Sequence, residues 1–306
     1  MRRTVLRFML FIGILTFSSV SGAVALQMKE VAPGVFVHQG SHLDFDDDNY
    51  NGDIANISFV IGTKSVAVID TGGSYDVGVA LKEAIKAKTA LPVKYVINTH
   101  VHPDHILGNA AFAQKDVSFV GHANLPAVMY ESQDTYLRDA PPRKDGKKNT
   151  LVMPTIKVAE QYTIDLGGRQ LLLRSWPSAH TTTDLTVLDQ KTDTFWTGDL
   201  LFTERTPSVD GDVKSWIDVI GALRKMTYAR VVPGHGSIPE NPAGAWDTEK
   251  HYLQLLISDI SIGIKEGKDM SEVMQSAASS EKDKWQRFDV INPRNVNLLF
   301  PKMEWE

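Results

Sequence analysis

The sequence predicts a mixed α/β protein in which helices pack on a largely buried sheet. Short apolar strand patterns recur along the chain, and segments with helical spacing separate several of them. In addition, 42% of the 306 residues are hydrophobic, which is enough for a substantial core. Strands that alternate with helices are typical of mixed or parallel sheets covered by helices.

Strand and helix patterns alternate through the first third of the chain. The segment 34–40 (GVFVHQG) alternates like a strand, and 56–72 (NISFVIGTKSVAVIDTG) predicts a β-hairpin. Residues 74–88 carry apolar side chains at helical spacing, and 92–100 (PVKYVINTH) predict a buried strand that continues to the end of this segment. The polar stretch 44–53 (DFDDDNYNGD) fits a solvated acidic hairpin better than a gate for a cation or a substrate.

The rest of the chain continues with short elements and ends in helices. A short helix is predicted at 108–114 and a strand at 117–121. Residues 132–150, rich in Asp, Pro, Lys and Gly, predict an exposed connection or lid. Strand-and-turn patterns fill 155–236, and the pattern is helical from about Ala243 onward.

The N-terminus has the pattern of a secretory signal peptide. Arg2, Arg3 and Arg7 precede an apolar run at 8–17, and small residues then end at an A-x-A site. The apolar run is too short to span a bilayer comfortably, which argues against a membrane anchor. We therefore expect residues 1–25 to be removed on export to the periplasm, with no membrane attachment afterwards.

The mature chain 26–306 is expected to be one acidic domain, with a core at about 31–240 and a C-terminal helical extension at about 241–306. Removing a segment with three arginines and no acidic residue changes the net charge from −5 to −8. This charge argues against nucleic-acid binding, which draws much of its affinity from neutralised phosphates. The chain has no cysteine, so a metal site must use His, Asp and Glu.

Four potential metal ligands fall within six consecutive residues of the segment NTHVHPDHILGN. His100 and His102 are two apart, so in an extended segment both side chains point the same way and can bind one ion. Pro103 ends the strand pattern, so Asp104 and His105 follow in a turn or helix start and face another direction. Because a catalytic zinc takes three protein ligands and leaves a position for water, the cluster predicts parts of two adjacent sites.

The remaining ligands are expected where strand patterns end. His180 lies in WPSAHTTTD after an apolar strand, Asp199 lies in FWTGDLLF at a strand end, and His235 lies in VVPGHG between two glycines. Glycine permits a tight turn that aims the His235 ring inward. Loops at strand ends are the usual place for functional groups on an α/β scaffold.

The combined pattern resembles the metallo-β-lactamase superfamily in its glyoxalase II-like form, in which an aspartate bridges two metals. All five motifs of that superfamily occur in order between about Val31 and His235. The first is similar to VIDTGGS, which places Asp70 in the supporting position. The others supply the series His100-x-His102-x-Asp104-His105, then His180, Asp199 and His235.

A narrower resemblance is to the exported quinoprotein relay system zinc metallohydrolases, a subgroup encoded near quinone-dependent dehydrogenases. It is carried by NGDIANISFVIG, VIDTGGS, INTHVHPDHILGNAAF and the ending NPRNVNLLFPKMEWE. In that subgroup the C-terminal motif usually has histidine where this chain has Asn292, a departure that weakens a substrate-contact role for this position.

The resemblance implies a four-layer αββα sandwich with mixed sheets and C-terminal helices, and two Zn²⁺ ions per chain. One zinc would be bound by His100, His102 and His180 and the other by Asp104, His105 and His235, with Asp199 as the bridge. A water between the ions, acidified from a pKa of about 15.7 towards roughly 7, is then the hydroxide nucleophile, which Asp104 also orients. Asp70 is expected behind the ligands, where its hydrogen bonds fix a ligand ring or the motif turn.

These expectations describe an exported dizinc hydrolase of a small ester, thioester or lactam-like amide, linked in function to a quinoprotein dehydrogenase system. Arg294 is the candidate contact for a substrate carboxylate, because guanidinium binds carboxylates in a bidentate fashion; a structural ion pair is the alternative. The remaining histidines are expected to be packed or surface residues: His38, His42, His122 and His251.

Two other functions remain open. One is a metallo-β-lactamase that hydrolyses β-lactams, although the bridging aspartate and the absence of cysteine argue against the common cysteine-containing type. The other is a non-hydrolytic accessory protein that binds a metal or a quinone cofactor for a periplasmic quinoprotein. A mononuclear iron oxygenase needs a single iron, and an RNA-processing nuclease conflicts with export and with the acidic charge.

Overall fold

The computed structural model describes residues 26–305, which form two β-sheets packed face to face with helices on both outer sides. This is the four-layer αββα arrangement that the resemblance implies. The expected signal peptide, residues 1–25, lies outside the described residues. Within the described range no helix is both long enough and apolar enough to cross a membrane.

The first sheet follows the order of the sequence. Its strands are β1 (Lys29–Ala32), β2 (Val35–His38), β3 (Ile57–Ile61), β4 (Val66–Ile69), β5 (Val93–Ile97), β6 (Ser118–His122) and β7 (Ile156–Val158). Pairing is antiparallel from β1 to β4 and parallel from β4 to β7. The predicted hairpin at 56–72 corresponds to β3 and β4 and is confirmed.

The second sheet has the order β12-β11-β10-β9-β8. Its strands are β8 (Gln161–Asp165), β9 (Gln170–Ser175), β10 (Leu185–Asp189), β11 (Thr194–Phe202) and β12 (Arg230–His235). Strands β11 and β12 pair in parallel, and the other pairs are antiparallel. The sandwich is therefore built from two mixed sheets, as expected.

Helices cover the outer faces of both sheets. They are α1 (Tyr75–Lys86), α2 (Pro103–Ile106), α3 (Leu125–Asp139), α4 (Val213–Leu223), α5 (Pro242–Lys265), α6 (Met270–Ser276) and α7 (Phe288–Glu304), with short 3₁₀ helices at Leu107–Phe112 and Ser279–Lys284. Helix α1 packs on the first sheet, and helices α4 to α7 pack on the second. The C-terminal region is helical, as the sequence predicted.

Alternating side chains explain why each sheet is buried on both faces. In β4, Val68 packs towards α1 while its neighbour Ile69 packs between the sheets. In β11, Phe195 packs towards the C-terminal helices while Trp196 packs between the sheets. Successive strand residues point to opposite faces, so a nearly continuous apolar strand supplies two cores at once.

Side-chain caps fix where helices α1 and α4 begin. The Ser74 hydroxyl accepts a hydrogen bond from the Val77 amide at 3.2 Å at the start of α1. The Asp212 carboxylate accepts from the Ser215 amide at 3.0 Å at the start of α4. Such caps satisfy amides that have no partner within the helix and contribute about 1 kcal/mol each.

Two predicted elements differ from the structure. Strand β5 ends at Ile97 rather than at His100, so the first two histidines of the cluster lie in a loop. Residues 132–139 continue helix α3, whereas an irregular connection was predicted there. The fully buried Leu125 and Met129 anchor the start of this helix, and once begun it extends through polar surface residues.

Candidate metal centre

The seven predicted metal ligands converge at one edge of the sandwich, where strands of both sheets end. By segment, they are His100 and His102 in the loop after β5, Asp104 and His105 on α2, His180 between β9 and β10, Asp199 on β11, and His235 at the end of β12. Loops after strand ends carry His100, His102 and His180, and strands β11 and β12 carry Asp199 and His235, so ligands distant in sequence become neighbours. Asp199 lies inside β11 rather than at a strand end as expected.

The ligands form two groups, and within each group the donor atoms all lie within 4.8 Å of one another. We call His100, His102 and His180 the first site, and Asp104, His105 and His235 the second site. The carboxylate of Asp199 reaches both: one oxygen lies 3.3 Å from His180 Nε2 and 3.3 Å from His235 Nε2. Its other oxygen lies 3.1 Å from His105 Nε2. Asp199 therefore occupies a bridging position.

The donor atoms fit a pair of metal ions. The buried atoms His100 Nε2, His105 Nε2 and Asp199 Oδ1 have no hydrogen-bond partner, which is costly unless another ligand satisfies them. Tetrahedral zinc with bonds of about 2.0–2.1 Å places its donor atoms about 3.3 Å apart. The 3.0 Å between His102 Nδ1 and His180 Nε2 is close to that spacing.

Backbone carbonyls set the orientation of two ligand rings. His180 Nδ1 lies 2.8 Å from the Ser208 carbonyl, and His235 Nδ1 lies 2.9 Å from the Ile54 carbonyl. A carbonyl oxygen only accepts, so Nδ1 carries the proton in both rings. The Nε2 lone pairs are therefore free to face a metal ion.

His102 is oriented the other way. Its Nε2 lies 3.1 Å from the Asp210 carboxylate, which leaves Nδ1 turned towards the first site. This is the more open corner of the centre, because the side chain of His102 is 20% exposed and that of Asp210 is 54% exposed. Asp210 was not singled out from the sequence, because its partner His102 lies 108 residues away in the chain.

Asp70 lies directly behind the ligands. One of its oxygens is 2.8 Å from His105 Nδ1 and accepts the Thr99 hydroxyl proton at 2.7 Å, while the other accepts the Thr99 amide proton at 2.8 Å. The Thr99 oxygen lies 3.0 Å from His100 Nδ1, so Asp70 acts on both sites. Asp70 has a φ of 55°, a left-handed conformation that aspartate tolerates better than most residues.

Glycine allows strand β12 to approach the bridging carboxylate. A side chain at Gly234 would place its Cβ 1.9 Å from an Asp199 oxygen. Gly236 has a φ of 85°, where a larger residue would be strained. The two glycines on either side of His235 thus provide both room and a turn.

The two carboxylates that face the histidines are ionised at neutral pH. Burial alone raises the pKa of Asp199, but the adjacent His235, His105 and His100 hold it well below its ordinary value. The pKa of Asp104 is likewise lowered by His105 and His235 against the effect of burial. Both are therefore in the form that binds a metal cation.

The segment that contains all seven candidate ligands matches a known protein family. Residues 50–235 match the metallo-beta-lactamase superfamily. The chain belongs to this superfamily. The superfamily and the fold inferred from the sequence are confirmed, and the two ligand groups fit the dimetal centre expected for it.

Solved structures share this superfamily fold. The sec-alkylsulfatase Pisa1 from Pseudomonas sp. matches with a TM-score of 0.70 and 15% identity, covering 90% of this chain and 50% of that chain. A metallo-beta-lactamase from Pontibacter korlensis matches with a TM-score of 0.61 and 22% identity, covering 75% of this chain and 99% of that chain. The present chain thus spans half the length of the sulfatase chain. No curated protein matches.

The superfamily centre opens into a chamber of about 310 Å³. Its walls include Asp104, Asp199 and His235, together with Arg205 and Tyr136. A second cavity of about 490 Å³ adjoins the chamber, and its walls are largely apolar. The two cavities share the side chains of Phe45, Pro103, Tyr136 and Arg294. A molecule at the metals can therefore extend into the adjoining cleft.

Arg294 lies at the edge shared by the two cavities, where it forms ion pairs. Its guanidinium lies 3.2 Å from both Asp44 oxygens and 2.6 Å from Asp46. Asp44 is fully buried, and Arg205 also lies 3.4 Å from it. These ion pairs hold the stretch 44–53 beside the chamber. The sequence predicted a solvated hairpin here, but its first aspartate, Asp44, is buried. A substrate contact by Arg294 stays a prediction.

Arg205 was not singled out from the sequence. It follows the strand that carries Asp199 and is only 5% exposed, although it lines the chamber. Burial lowers the pKa of this guanidinium, while Asp44, Asp104 and Asp199 act to raise it. The position of a cationic residue just after β11, the strand that carries Asp199, is the sequence signal that could have indicated Arg205.

The other four histidines stand apart from the metal centre. His38 pairs with Asp53 at 2.8 Å, and His42 pairs with Glu204 at 3.2 Å. His251 lies 3.4 Å from Glu281. His122 accepts a hydrogen bond from the Asn124 amide. These packed or surface positions agree with their expected structural roles.

Proposed function

We propose that this superfamily member is a dizinc hydrolase of an ester, thioester or lactam-like amide. The observation that carries the proposal is the Asp199 carboxylate, which lies between two histidine groups with 3.1 to 3.3 Å contacts to each. Imidazole and carboxylate donors without any thiolate suit zinc, and they also suit iron. The choice of zinc follows the sequence resemblance and needs direct metal analysis.

The chain's own side chains support hydrolysis around such a centre. When bound, two metal ions lower the pKa of water and polarise the carbonyl of a substrate. The ionised Asp104, which lines the chamber, accepts a hydrogen bond from the attacking water and holds it towards the substrate. Arg205 supplies a fixed positive charge for a negatively charged substrate group. Burial raises the pKa of Tyr136 to about 12, so its hydroxyl stays protonated and can donate.

The shape of the cavities indicates a substrate with an apolar part. The chamber holds the scissile group near the metals, and the adjoining cleft of about 490 Å³ accepts a bulky attached group. Phe45, Leu107, Tyr136 and Pro141 supply its apolar contacts. This volume lies in the range of cavities that bind small organic molecules. The substrate we propose is therefore larger than the reacting group alone.

Export to the periplasm and a functional link to a quinoprotein dehydrogenase belong to the same proposal. They rest on the signal-like N-terminus and on the motifs shared with the quinoprotein relay subgroup. β-Lactam hydrolysis is the second candidate, favoured by the similar fold of the metallo-beta-lactamase from Pontibacter korlensis. An accessory role in binding metal or quinone would leave the same ligands without hydrolytic turnover.

Metal analysis and a substrate panel test the proposal. The purified mature protein should contain about two zinc ions per chain, whereas a single tightly bound iron would overturn the dizinc assignment. The zinc-loaded protein is then assayed with thioesters, lactones, carboxylic esters, sulfate esters, phosphodiesters and β-lactams, each with a small and a bulky apolar group. We expect faster turnover of the bulky member of one carbonyl series. A protein that is inert on all series but retained by a quinoprotein would support the accessory role instead.

A further inference from the structure

The segment 207–211, called the support loop, contacts the first site at three points. The Ser208 carbonyl accepts from His180 Nδ1 at 2.8 Å, and the Gly211 amide donates to the His180 carbonyl at 2.7 Å. The Asp210 carboxylate accepts from His102 Nε2 at 3.1 Å. The support loop therefore fixes the ring and the backbone of His180 and the ring of His102.

One side chain of the C-terminal helix α7 holds the support loop. Asn295 donates from Nδ2 to the Pro207 carbonyl at 2.8 Å, and its Oδ1 accepts from the Val209 amide at 2.9 Å. These bonds bracket Ser208 on both sides, and they join residues 88 and 86 positions apart. Asn295 is 1% exposed, so few competing waters reach it.

The same amide is fixed from behind by helix α5. Asn295 Nδ2 also donates to the Tyr252 hydroxyl at 2.9 Å, and Tyr252 is fully buried. Because both Oδ1 and Nδ2 of Asn295 are hydrogen-bonded, the side chain cannot rotate freely. Asn295 therefore fixes the position of the support loop relative to helices α5 and α7. Hydrogen bonds thus link Tyr252 to Asn295 and Asn295 to Pro207 and Val209, the chain neighbours of Ser208, whose carbonyl accepts from the His180 ring.

Asn292, one turn earlier on α7, provides an internal comparison. It is also 1% exposed and also bonds Tyr252, whose hydroxyl donates to Asn292 Oδ1 at 2.9 Å. Its Nδ2 donates to the Ala277 carbonyl at 2.9 Å rather than to the support loop. Asn292 and Asn295 are therefore matched in type and burial, and both bond Tyr252. Asn292 has one further partner outside the support loop, whereas the two further partners of Asn295 both lie in the support loop.

We infer that Asn295 is a positioning residue of the first metal site: it sets the support loop so that His180 and His102 present their ligand nitrogens. The inference rests on the proposed dimetal centre only in requiring that the first site binds a metal. Outer contacts of metal ligands typically contribute 10–100-fold to metal affinity. Because Asn295 acts through the support loop, we expect the lower part of this range, about tenfold.

The test compares Asn295→Ala with Asn292→Ala by zinc titration of the metal-free full-length mature protein against a chromophoric chelator. Asn295→Ala should weaken one of the two zinc-binding steps about tenfold and leave the other unchanged. Asn292→Ala should keep both affinities. Asn295→Asp keeps the acceptor for the Val209 amide but loses the donor, so it should restore part of the lost affinity. Co²⁺ absorption spectra should change for the same single site.

Thermal unfolding of the metal-free variants separates positioning from general destabilisation. Similar midpoints for Asn295→Ala and Asn292→Ala with different zinc affinities support the inference. Equal zinc affinities, or equal losses in both variants, overturn it. If Asn295→Ala does not fold, Asn295→Asp is judged by the same criteria. A wild-type protein that binds no second zinc contradicts the proposed function, whereas an unaffected Asn295→Ala contradicts only this inference.

Discussion

The two halves of the metal centre are held in different ways. The second site is deeply buried: His105 on α2 contacts Asp70, and His235 at the end of β12 contacts the carbonyl of Ile54, with side-chain exposures of 0% and 4%. The first site is held on its outer side by the support loop, and His102 is 20% exposed. The second site is thus part of the sandwich core, whereas the first depends on a loop that the C-terminal helices hold in place.

This difference indicates how the two sites should respond to change. Contacts within a packed sheet edge shift little when one side chain is altered, whereas a loop held by a few hydrogen bonds can move. We therefore expect the metal of the first site to exchange more readily. A substitution that weakens metal binding at both sites should remove the difference between them, and a substitution that weakens binding at one site should make the difference larger.

The largest effect is expected from Asp199→Ala, because both sites share this carboxylate. Loss of a direct ligand should exceed the 10–100-fold cost of losing an outer contact, so both zinc affinities should fall by more than about 100-fold. Metal content after dialysis measures this directly. His251→Ala is the control, because its ring is 61% exposed and lies outside the centre. Retention of both ions by Asp199→Ala would show that Asp199 is not a bridge.

A smaller effect, with a difference between the sites, is expected from Asp70→Asn and Asp210→Asn. Asp70 accepts two hydrogen bonds from Thr99 and lies beside His105. In Asp70→Asn, the NH₂ group of the new side chain would face one of these donors and could not accept its hydrogen bond. We expect about 100-fold weaker zinc binding at the second site, and some loss at the first through Thr99. Asp210→Asn keeps one acceptor for His102 and should cost about tenfold at the first site alone.

Zinc titrations that resolve two steps distinguish these outcomes. Cobalt spectra assign each step, because the two sites differ in their donor sets. Equal effects of Asp70→Asn and Asp210→Asn on the same step would remove the proposed distinction between a core site and a loop-supported site.

The sequence could predict the ligands of both sites, but not what supports them. The candidate ligands around His100 are close in sequence and the distant candidates follow recognisable strand patterns, and the resemblance to the superfamily divided them between two sites with Asp199 as the bridge. Asp70 was also expected, because VIDTGGS resembles the first motif of the superfamily. Asp210 and Asn295 carry no such local signal, because their contacts arise only when loops and helices pack.

The fold shows the same limit. Alternating apolar residues predicted the strands and the hairpin at 56–72, because periodicity reports burial directly. Residues 132–139 were missed as a helix because they are polar, and the burial that anchors this helix comes from Leu125 and Met129 upstream. The acidic stretch 44–53 was expected to be solvated because its arginine partners are 161 or more positions away: Asp44 pairs with Arg205 and Arg294.

The smallest effect on metal binding is expected from Glu249→Gln, behind the strand that serves both sites. Glu249 is fully buried and accepts a hydrogen bond from the Phe202 amide at 2.9 Å, which glutamine can also do.

Burial raises the pKa of Glu249 well above its ordinary value. The unfolded chain ionises near about 4.3 while the folded protein keeps its proton to higher pH, so the free energy of unfolding falls as the pH rises between these values. Glutamine removes this loss, so in the metal-free protein the advantage of the variant over the wild type should grow as the pH rises above about 5, by up to about 1.4 kcal/mol per pH unit while folded Glu249 keeps its proton. Urea unfolding at a series of pH values from about 5 upward measures the gain. A pH-independent difference would mean that Glu249 is ionised beside Asp199, and the shared strand would then carry a second negative charge towards both sites.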